Sequence, residues 1–366
     1  MNRLLLSLTA AAGLVLAGTA GAADAPSWPN LKEADFVIKD FHFRSGESLP
    51  ELKIHYRTLG TPHYDAQHKI TNAVMILHGT GGDGSTFLRP IFGGELFGAG
   101  QPLDASRFFI ILPDGIGHGG SSKPSDGLRA KFPHYDYDDM VAAEHALAKD
   151  GLETGKLRLI LGTSMGCMHA FVWGESYGDD VSALAPFACL PVRIVGRNRL
   201  WRRMVIDAVK SDPAWAGGAY KTEPQDGLRT ASDILTIAGS APHQMQKALA
   251  TVEDVDTNLQ KRLDGDLAHL DANDLIYQVD ASRDYDPSPK LDRITAPVLW
   301  INSADDFINP PELGIAEAEA PKLKHGRFVL LPISEKTHGH GTHTWAIAWK
   351  DQLAQFMTET EPKQGG

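Results

Sequence analysis

Short apolar segments alternate with helical segments along most of the 366-residue chain, and this alternation constrains the fold more than any other feature. The apolar segments are rich in Val, Ile and Leu and close at Gly, Pro or Asp, which predicts buried strands. They fall at residues 73–77, 108–112, 157–161, 181–189, 298–302 and 328–332, and two strand-like runs at 36–43 and 52–59 precede them. Helical spacing is found at 140–148, 167–175 and 344–357. This order predicts an α/β fold with a mostly parallel sheet flanked by helices.

The alternation stops between residues 191 and 286, where the chain is charged and helical and lacks strand signals. Because this segment lies between two parts of one predicted sheet, we interpret it as an inserted helical cap. The predicted organisation is a first part of the core at 23–190, the cap at 191–286 and a second part of the core at 287–366.

The first 22 residues have the pattern of a cleavable signal peptide. Arg3 gives a positive start, residues 4–17 are apolar, and Ala20-Gly21-Ala22 supplies the small residues that precede cleavage. The apolar run is shorter than the roughly 20 residues of a membrane-spanning helix. We therefore expect a periplasmic or secreted protein without stable membrane insertion.

Charge and cysteine content narrow the function classes. The net charge of −11 argues against a non-specific nucleic-acid binder, which needs a basic surface. The two cysteines, Cys167 and Cys189, are too few for a four-cysteine zinc site or a disulfide scaffold. They leave two alternatives: a disulfide behind the active site, as export permits, or two buried thiols, which is common.

The segment Gly162-Thr163-Ser164-Met165-Gly166 predicts a catalytic nucleophile. It has the G-x-S-x-G pattern between a predicted strand and a predicted helix, where a sharp turn exposes the serine. A serine hydroxyl needs a base, and that base needs an orienting acid. In this arrangement the acid and then the base follow the serine along the chain.

The acid and the base are expected after the last two strands. Asp306 is favoured as the acid because Pro310 completes an Asp-x-x-x-Pro spacing typical of this loop, with Asp305 as the alternative. His340 is favoured as the base, and His338 and His343 are the alternatives. These three histidines could also ligate zinc, but no carboxylate or thiolate partner is evident beside them.

The segment His78-Gly79-Thr80-Gly81-Gly82 follows a predicted strand and predicts the oxyanion hole, with backbone N–H groups of Thr80 and Met165 as donors. We expect His78, Gly79 and His343 to contact the substrate. The same glycines match a dinucleotide-binding pattern, but the glycine-rich residues 87–100 make a poor crossover helix. We therefore expect no nicotinamide cofactor.

With these motifs the sequence resembles the α/β-hydrolase superfamily and, more narrowly, the homoserine O-acetyltransferases. The resemblance implies an α/β-hydrolase fold, with Ser164 as nucleophile, Asp306 as acid and His340 as base. It extends over most of the chain after the signal segment and is carried by residues 98–111, 132–133, 137–141, 162–168, 211–215, 217–218, 271–273 and Asp306 with Pro310 and Pro311.

Two departures from the family bear on the substrate. Gly341 follows His340 where the family usually has Asp. The family arginine that belongs to the homoserine site aligns here with Val205 or Ile206. Five other arginines lie nearby and offer either an acid-binding site or a solvated, ion-paired helix face; they are Arg193, Arg197, Arg199, Arg202 and Arg203.

The predicted function is an exported serine hydrolase that cleaves a small-molecule ester through an acyl-enzyme, without cofactor or metal. Export speaks against a coenzyme A-dependent transferase, because such thioesters are not expected outside the cytoplasm. The alternatives are an O-acyltransferase of the homoserine O-acetyltransferase type and an inactive binding protein on the same fold. The sequence leaves the oligomeric state open, with a homodimer as one option.

Overall fold

The computed structural model describes Trp28 and residues 30–361, so the predicted signal peptide lies outside the described residues. The eight strands of the sheet follow the order β1-β2-β4-β3-β5-β6-β7-β8. The strands are β1 (Lys32–His42), β2 (Ser48–Leu59), β3 (Ala73–Leu77), β4 (Phe109–Pro113), β5 (Leu159–Thr163), β6 (Leu184–Phe187), β7 (Val298–Ser303) and β8 (Gly326–Leu331).

Most of the sheet is parallel. The pairs formed among β3 to β8 are parallel, whereas β1 pairs with β2 and β2 pairs with β4 in antiparallel register. A parallel strand pair needs a long crossover, and the helices of the chain supply it. The predicted fold class, an α/β fold with a mostly parallel sheet and flanking helices, is confirmed.

Ten α-helices are described, and together with the sheet they build two core layers. They are α1 (Gly93–Leu96), α2 (Tyr137–Ala146), α3 (Met165–Ser176), α4 (Gly196–Ser211), α5 (Gln225–Ala238), α6 (Pro242–Ala248), α7 (Val252–Leu267), α8 (Ala272–Asp280), α9 (Ile315–Glu319) and α10 (Lys350–Glu359). Strand β3 is buried on both faces: Met75 packs in one apolar layer with residues of α2 and α3, and Ile76 packs in the other with residues of α1 and α10. Its continuous apolar sequence follows from this double burial.

The last helix begins later than the sequence predicts, at Lys350 rather than at residue 344. Two short 3-10 turns, Gly341–Thr344 and Ala346–Ala348, precede it. The apolar spacing that suggested a helix has another cause, since Ala346 and Trp349 pack into the core layer beneath the sheet. The indole N–H of Trp349 also donates to the carbonyl of Thr342 at 3.1 Å, which holds the turn.

Between β6 and β7 the structure describes five α-helices, α4 to α8. Two polar side chains of α8 make hydrogen bonds to loops outside this segment. Asp274 accepts hydrogen bonds from the backbone N–H and the hydroxyl of Ser125, at 2.8 and 2.6 Å, and Gln278 donates to the carbonyl of Gly117 at 2.7 Å. The boundaries of the cap at residues 191 and 286 stay a prediction. Within the described part of the chain, no helix is both long and apolar enough to cross a membrane.

Candidate active site

Ser164 lies in the turn between β5, which ends at Thr163, and α3, which begins at Met165. Its backbone has φ 55° and ψ −107°, a conformation that costs a non-glycine residue energy and is found mainly at functional sites. The glycines on either side are required by close packing. A Cβ atom on Gly162 would lie 1.9 Å from the carbonyl oxygen of Gly166, and one on Gly166 would lie 2.1 Å from that of Leu77.

Three of the predicted site residues form one chain of hydrogen bonds. Oγ of Ser164 lies 2.8 Å from Nε2 of His340, and Nδ1 of His340 lies 2.9 Å from Oδ2 of Asp306. For a neutral imidazole this geometry assigns the proton to Nδ1, which donates to the carboxylate, and leaves Nε2 to accept from the serine hydroxyl. The serine is therefore placed to lose its proton to the histidine.

The structure brings Asp306, and not Asp305, to His340. Asp306 is 2% exposed and accepts hydrogen bonds from the backbone N–H groups of Ile308 and Asn309, at 2.8 and 3.1 Å. Burial by itself raises the pKa of this carboxyl, but the attraction of His340 and the hydrogen bonds from His340 and Asn309 outweigh burial and lower it. Asp305 instead accepts from the backbone N–H of Gly339 at 3.0 Å.

His338 and His343, the alternatives to His340 as the base, make no hydrogen bond to Ser164 among the described residues. The ring of His338 stacks on Trp345 with the centroids 3.8 Å apart. His343 lies beside His340, with the ring centroids 5.1 Å apart. Burial, with a further contribution from His340, lowers the pKa of His343 to about 3, so this side chain is neutral near pH 7. No group of three His, Cys, Asp or Glu side chains suited to a metal ion occurs among the described residues.

Two backbone N–H groups border the site, that of Thr80 in the turn after β3 and that of Met165 at the start of α3. The N–H groups of Thr80 and Met165 donate to no protein acceptor within the described residues. Gly79 packs so closely on the serine that a Cβ atom there would lie 3.2 Å from Cβ of Ser164. Unpaired N–H groups beside a nucleophile can bind the negative oxygen of a tetrahedral intermediate.

His78, expected to contact substrate, lies beneath this turn and does not line the cavity. Its side chain is buried, and both ring nitrogens are engaged. Nδ1 lies 2.9 Å from the carbonyl of Gly79, and Nε2 accepts from the backbone N–H of Gly115 at 2.9 Å. Burial lowers the pKa of His78, in keeping with the neutral ring that this pair of hydrogen bonds requires. The role of His78 is therefore to hold the turn, and a contact with substrate is not supported.

A cavity of about 430 Å³ opens onto Ser164 and His340. Gly79, Thr80 and His343, all named from the sequence, line it. The other contributors come from the segment after β3, the loop around His340 and the region of α5 and α6; they include Thr86, Arg89, Ile91, Gly239, Ala241, Gln244, Met245, Thr344 and Trp345. The amide of Gln244 on α6 donates to the carbonyl of Thr337 at 2.9 Å and so links α6 to the loop that carries His340.

Sequence reasoning missed Arg89. Apart from histidines, it is the only residue with a basic or acidic side chain among those that line this cavity. It directly follows the 3-10 helix Gly84–Leu88, in a segment that carried no motif. Arg89 and Ser164 are far apart in the sequence and line one cavity only in the folded chain, so no local signal could have identified Arg89.

The cap arginines have structural partners. Arg193 lies 3.3 Å from Asp286, Arg199 lies 3.2 Å from Asp280 and Arg203 lies 2.7 Å from Asp207. Arg197 donates to the carbonyl of Phe307 and lies over its ring, and Arg202 donates to Asn198 and Ser282. Of the two alternatives left by the sequence, the structure favours the paired helix face over an acid-binding site.

The structure settles the state of the two cysteines. Cys167 and Cys189 form a disulfide, with their Cα atoms 5.8 Å apart. The bond joins the first turn of α3 to the residue two positions after β6. It thus ties the helix that follows Ser164 to the neighbouring strand of the sheet.

Comparisons with known proteins agree with this architecture. The sequence model of a family described as alpha/beta hydrolase fold matches residues 72–333. A probable acyltransferase of Methanothermobacter thermautotrophicus is 31% identical over 279 residues, covering 76% of this chain and 84% of that protein. A homoserine O-acetyltransferase of Leifsonia xyli is 27% identical over 346 residues, 83% of either chain. The structure of an acetylester hydrolase from Corynebacterium glutamicum has a TM-score of 0.77 at 21% identity, covering 89% of this chain and 96% of that one.

Proposed function

The chain belongs to the α/β-hydrolase fold family, as the resemblance in sequence indicated, and from this premise we propose that it is an exported serine esterase. It is an enzyme of the esterase or acyltransferase kind, as its acyltransferase relatives indicate. The proposal assigns catalysis to Ser164, His340 and Asp306, and the oxyanion hole to the N–H groups of Thr80 and Met165.

One observation carries the proposal: the hydrogen-bonded chain from Ser164 through His340 to Asp306, at 2.8 and 2.9 Å, opens onto a cavity. Both distances lie within the range expected of a nucleophile, its base and the group that orients the base. An inactive binding protein would not need a strained serine at φ 55° aligned with a histidine and a buried acid.

Acylation begins with attack of the Ser164 oxygen on the ester carbonyl carbon, while Nε2 of His340 takes the hydroxyl proton. The carbonyl oxygen becomes an oxyanion and accepts hydrogen bonds from Thr80 and Met165. Asp306 stabilises the imidazolium that forms. His340 then returns the proton to the leaving alcohol, the ester bond breaks and the acyl group remains on Ser164.

Deacylation repeats the same steps with a second oxygen nucleophile. His340 takes a proton from water, the resulting oxygen attacks the acyl carbon, and Ser164 leaves with the proton from His340. If an acceptor alcohol replaces water, the product is a new ester and the enzyme is an acyltransferase. The residues of the site serve both outcomes, so the acceptor decides between them.

Two features favour water over homoserine as the acceptor. Val205 and Ile206, which align with the family arginine of the homoserine site, are apolar and buried, so neither can bind a carboxylate. An exported protein acts outside the cytoplasm, where coenzyme A thioesters are not expected. Acyl transfer from another donor is the second candidate, favoured by the acyltransferases among the sequence relatives.

An assay of ester cleavage by the purified protein tests this function. It uses p-nitrophenyl esters of increasing acyl length, each with and without an added acceptor alcohol. We expect free carboxylic acid as the main product, with the rate of nitrophenol release unchanged by acceptors at moderate concentration. Transfer of most acyl groups to one acceptor in dilute aqueous solution would instead establish the acyltransferase. No turnover of any ester, with no labelling of Ser164, would contradict both.

Export is part of the proposal and rests on residues 1–22, with support from the disulfide, since such bonds persist in oxidising compartments. Expression of the full chain in a bacterial host, followed by amino-terminal sequencing of the extracytoplasmic protein, should give a start near Ala23. The variant Leu14→Arg, which interrupts the apolar run, should stay uncleaved in the cytoplasm. An uncleaved wild-type chain found only in the cytoplasm would refute export and leave the catalytic assignment intact.

We also propose that residues 191–286 act as a cap that closes one side of the cavity. Gly239, Ala241, Gln244 and Met245 support this role, because they line the cavity from the cap side.

A further inference from the structure

Arg89 combines three properties that a structural arginine does not usually share. It lines the same cavity as Ser164. It is only partly exposed, and its guanidinium makes no hydrogen bond or ion pair with any residue that the structure describes. Burial lowers its pKa, and no neighbouring acid counters that shift. A partly desolvated cation without a counter-ion is costly, and a bound anion would offset the cost.

The other residues that line the cavity also favour the binding of an anion beside Arg89. No aspartate or glutamate lines it, so the positive charge of Arg89 is uncompensated within the cavity. Thr86 lies three residues earlier, in the 3-10 helix that Arg89 directly follows, and lines the same cavity. Its hydroxyl also lacks a protein partner among the described residues. Two donors, one of them charged, thus face the cavity from one short segment.

The geometry points to Arg89, assisted by Thr86, as the binding site for a carboxylate on the substrate, so that the preferred substrate is an anionic ester. This inference rests on the proposed esterase function and adds the substrate class. A guanidinium matches a carboxylate because it can donate two parallel hydrogen bonds. None of the five arginines between β6 and β7 lines this cavity, and each has a protein partner elsewhere.

The carboxylate can belong to either half of the ester, and two substrate pairs distinguish these sources. The acyl arm compares p-nitrophenyl hemisuccinate with p-nitrophenyl butyrate, which have equal acyl chain length. The alcohol arm compares acetoxyacetate with acetoxyacetamide, which differ only in the charged group. In each arm the measured quantity is the ratio of kcat/KM for the charged ester to kcat/KM for the neutral one.

We expect the wild-type protein to prefer the charged ester in one arm, and that arm identifies the half that carries the carboxylate. Arg89→Gln should lower the ratio by about 10- to 100-fold, as expected for a lost hydrogen bond to a charged group. Arg89→Lys should retain part of the preference, because the charge remains while the paired donors are lost. The matched control Arg229→Gln removes an exposed arginine on α5 and should leave the ratio unchanged.

A wild-type ratio near one in both arms would overturn the inference, as would a ratio that Arg89→Gln leaves intact. If Arg89→Gln does not fold, the wild-type ratio and Arg89→Lys decide. Failure of the esterase proposal has a different signature, since turnover of the neutral ester would then persist in Ser164→Ala.

Discussion

Asn309 donates a hydrogen bond from Nδ2 to Oδ2 of Asp306 at 3.0 Å, the same oxygen that faces Nδ1 of His340. Nδ2 also donates to the carbonyl of Ala188 at 3.0 Å, so both of its N–H groups are engaged. Nδ2 lies 3.5 Å from Nδ1 of His340, but both atoms are donors in the tautomer that the site needs, so this approach is no hydrogen bond. Asn309 therefore positions the carboxylate.

Asn309→Ala should lower kcat about tenfold or more while KM changes little, because a small misplacement of the acid and base reduces the rate. The matched control is Asn302→Ala, which removes another buried amide; this amide donates to the carbonyl of Cys189 at 3.0 Å and makes no hydrogen bond to Asp306 among the described residues. Both variants should be less stable than the wild type, but only Asn309→Ala should also have a lower kcat. Equal kcat in the two variants would contradict a positioning role.

Substitutions of the two adjacent aspartates, Asp305 and Asp306, should have very different effects on kcat. Asp306→Asn should lower kcat by about 10⁴-fold, the loss known for an orienting aspartate whose replacement favours the wrong histidine tautomer. Asp305→Asn should have a modest effect, because this carboxylate holds only the backbone N–H of Gly339. Steady-state kinetics on one ester settles the matter. Comparable losses in the two variants would show that the assignment of the acid is wrong.

The alternation of strands and helices along the chain and the serine turn could be predicted from the sequence, because they depend on local patterns. The pentapeptide around Ser164, the apolar run of β3 and the Asp306-to-Pro310 spacing each lie within a few neighbouring residues. The start of α10 was predicted too early, since apolar residues that pack into the core mimicked a helical repeat. Arg89 was missed because its place at the cavity depends on tertiary folding.

The state of the two cysteines also depends on tertiary folding and could not be predicted from the local sequence. Spacing along the chain left both the disulfide and the two free thiols open, because the choice depends on the distance between Cα atoms in the folded sheet. The structure supplies that distance, 5.8 Å between Cys167 and Cys189. His78 gives another example: its motif suggested a substrate contact, and its burial under the turn was visible only after folding.

The disulfide should stabilise the protein against unfolding. The two cysteines are 22 residues apart, and a loop of this length contributes about 3 kcal/mol in the chain-entropy description. Cys167→Ala with Cys189→Ala should therefore lower the urea midpoint, and reductant should lower it in the wild type only. Mass spectrometry of unreduced, alkylated protein checks the bond directly, and two alkylated thiols in extracytoplasmic material would contradict it.

Glu175 should make stability depend on pH. Burial raises its pKa from 4.5 to about 8, with Lys290 and Arg293 opposing the shift, and its Oε1 has no partner among the described residues. Between pH 4.5 and 8 the carboxyl of Glu175 stays protonated in the folded chain and ionises in the unfolded chain. The contribution of Glu175 to the free energy of unfolding is therefore fully present below pH 4.5 and is lost as pH rises to 8.

Glu175→Gln mimics the protonated side chain and should remove that loss. Urea midpoints at pH 5 and pH 9 should therefore show a gain in stability over wild type at the higher pH, with little difference at the lower one. The control Glu312→Gln changes an exposed glutamate and should give no such pH-dependent gain. An equal effect of Glu175→Gln at both pH values would contradict the raised pKa.

The central claim is that Ser164 is the nucleophile, and labelling by a fluorophosphonate probe tests it most directly. Wild-type protein should become covalently labelled at Ser164 and lose esterase activity in step, because the probe reacts with a serine activated by a histidine. Ser164→Ala should fold, take no label and lose activity by about 10⁶-fold. Ser176→Ala, at the exposed end of the same helix, should behave as wild type. Labelling and turnover at wild-type rate in Ser164→Ala would contradict the account.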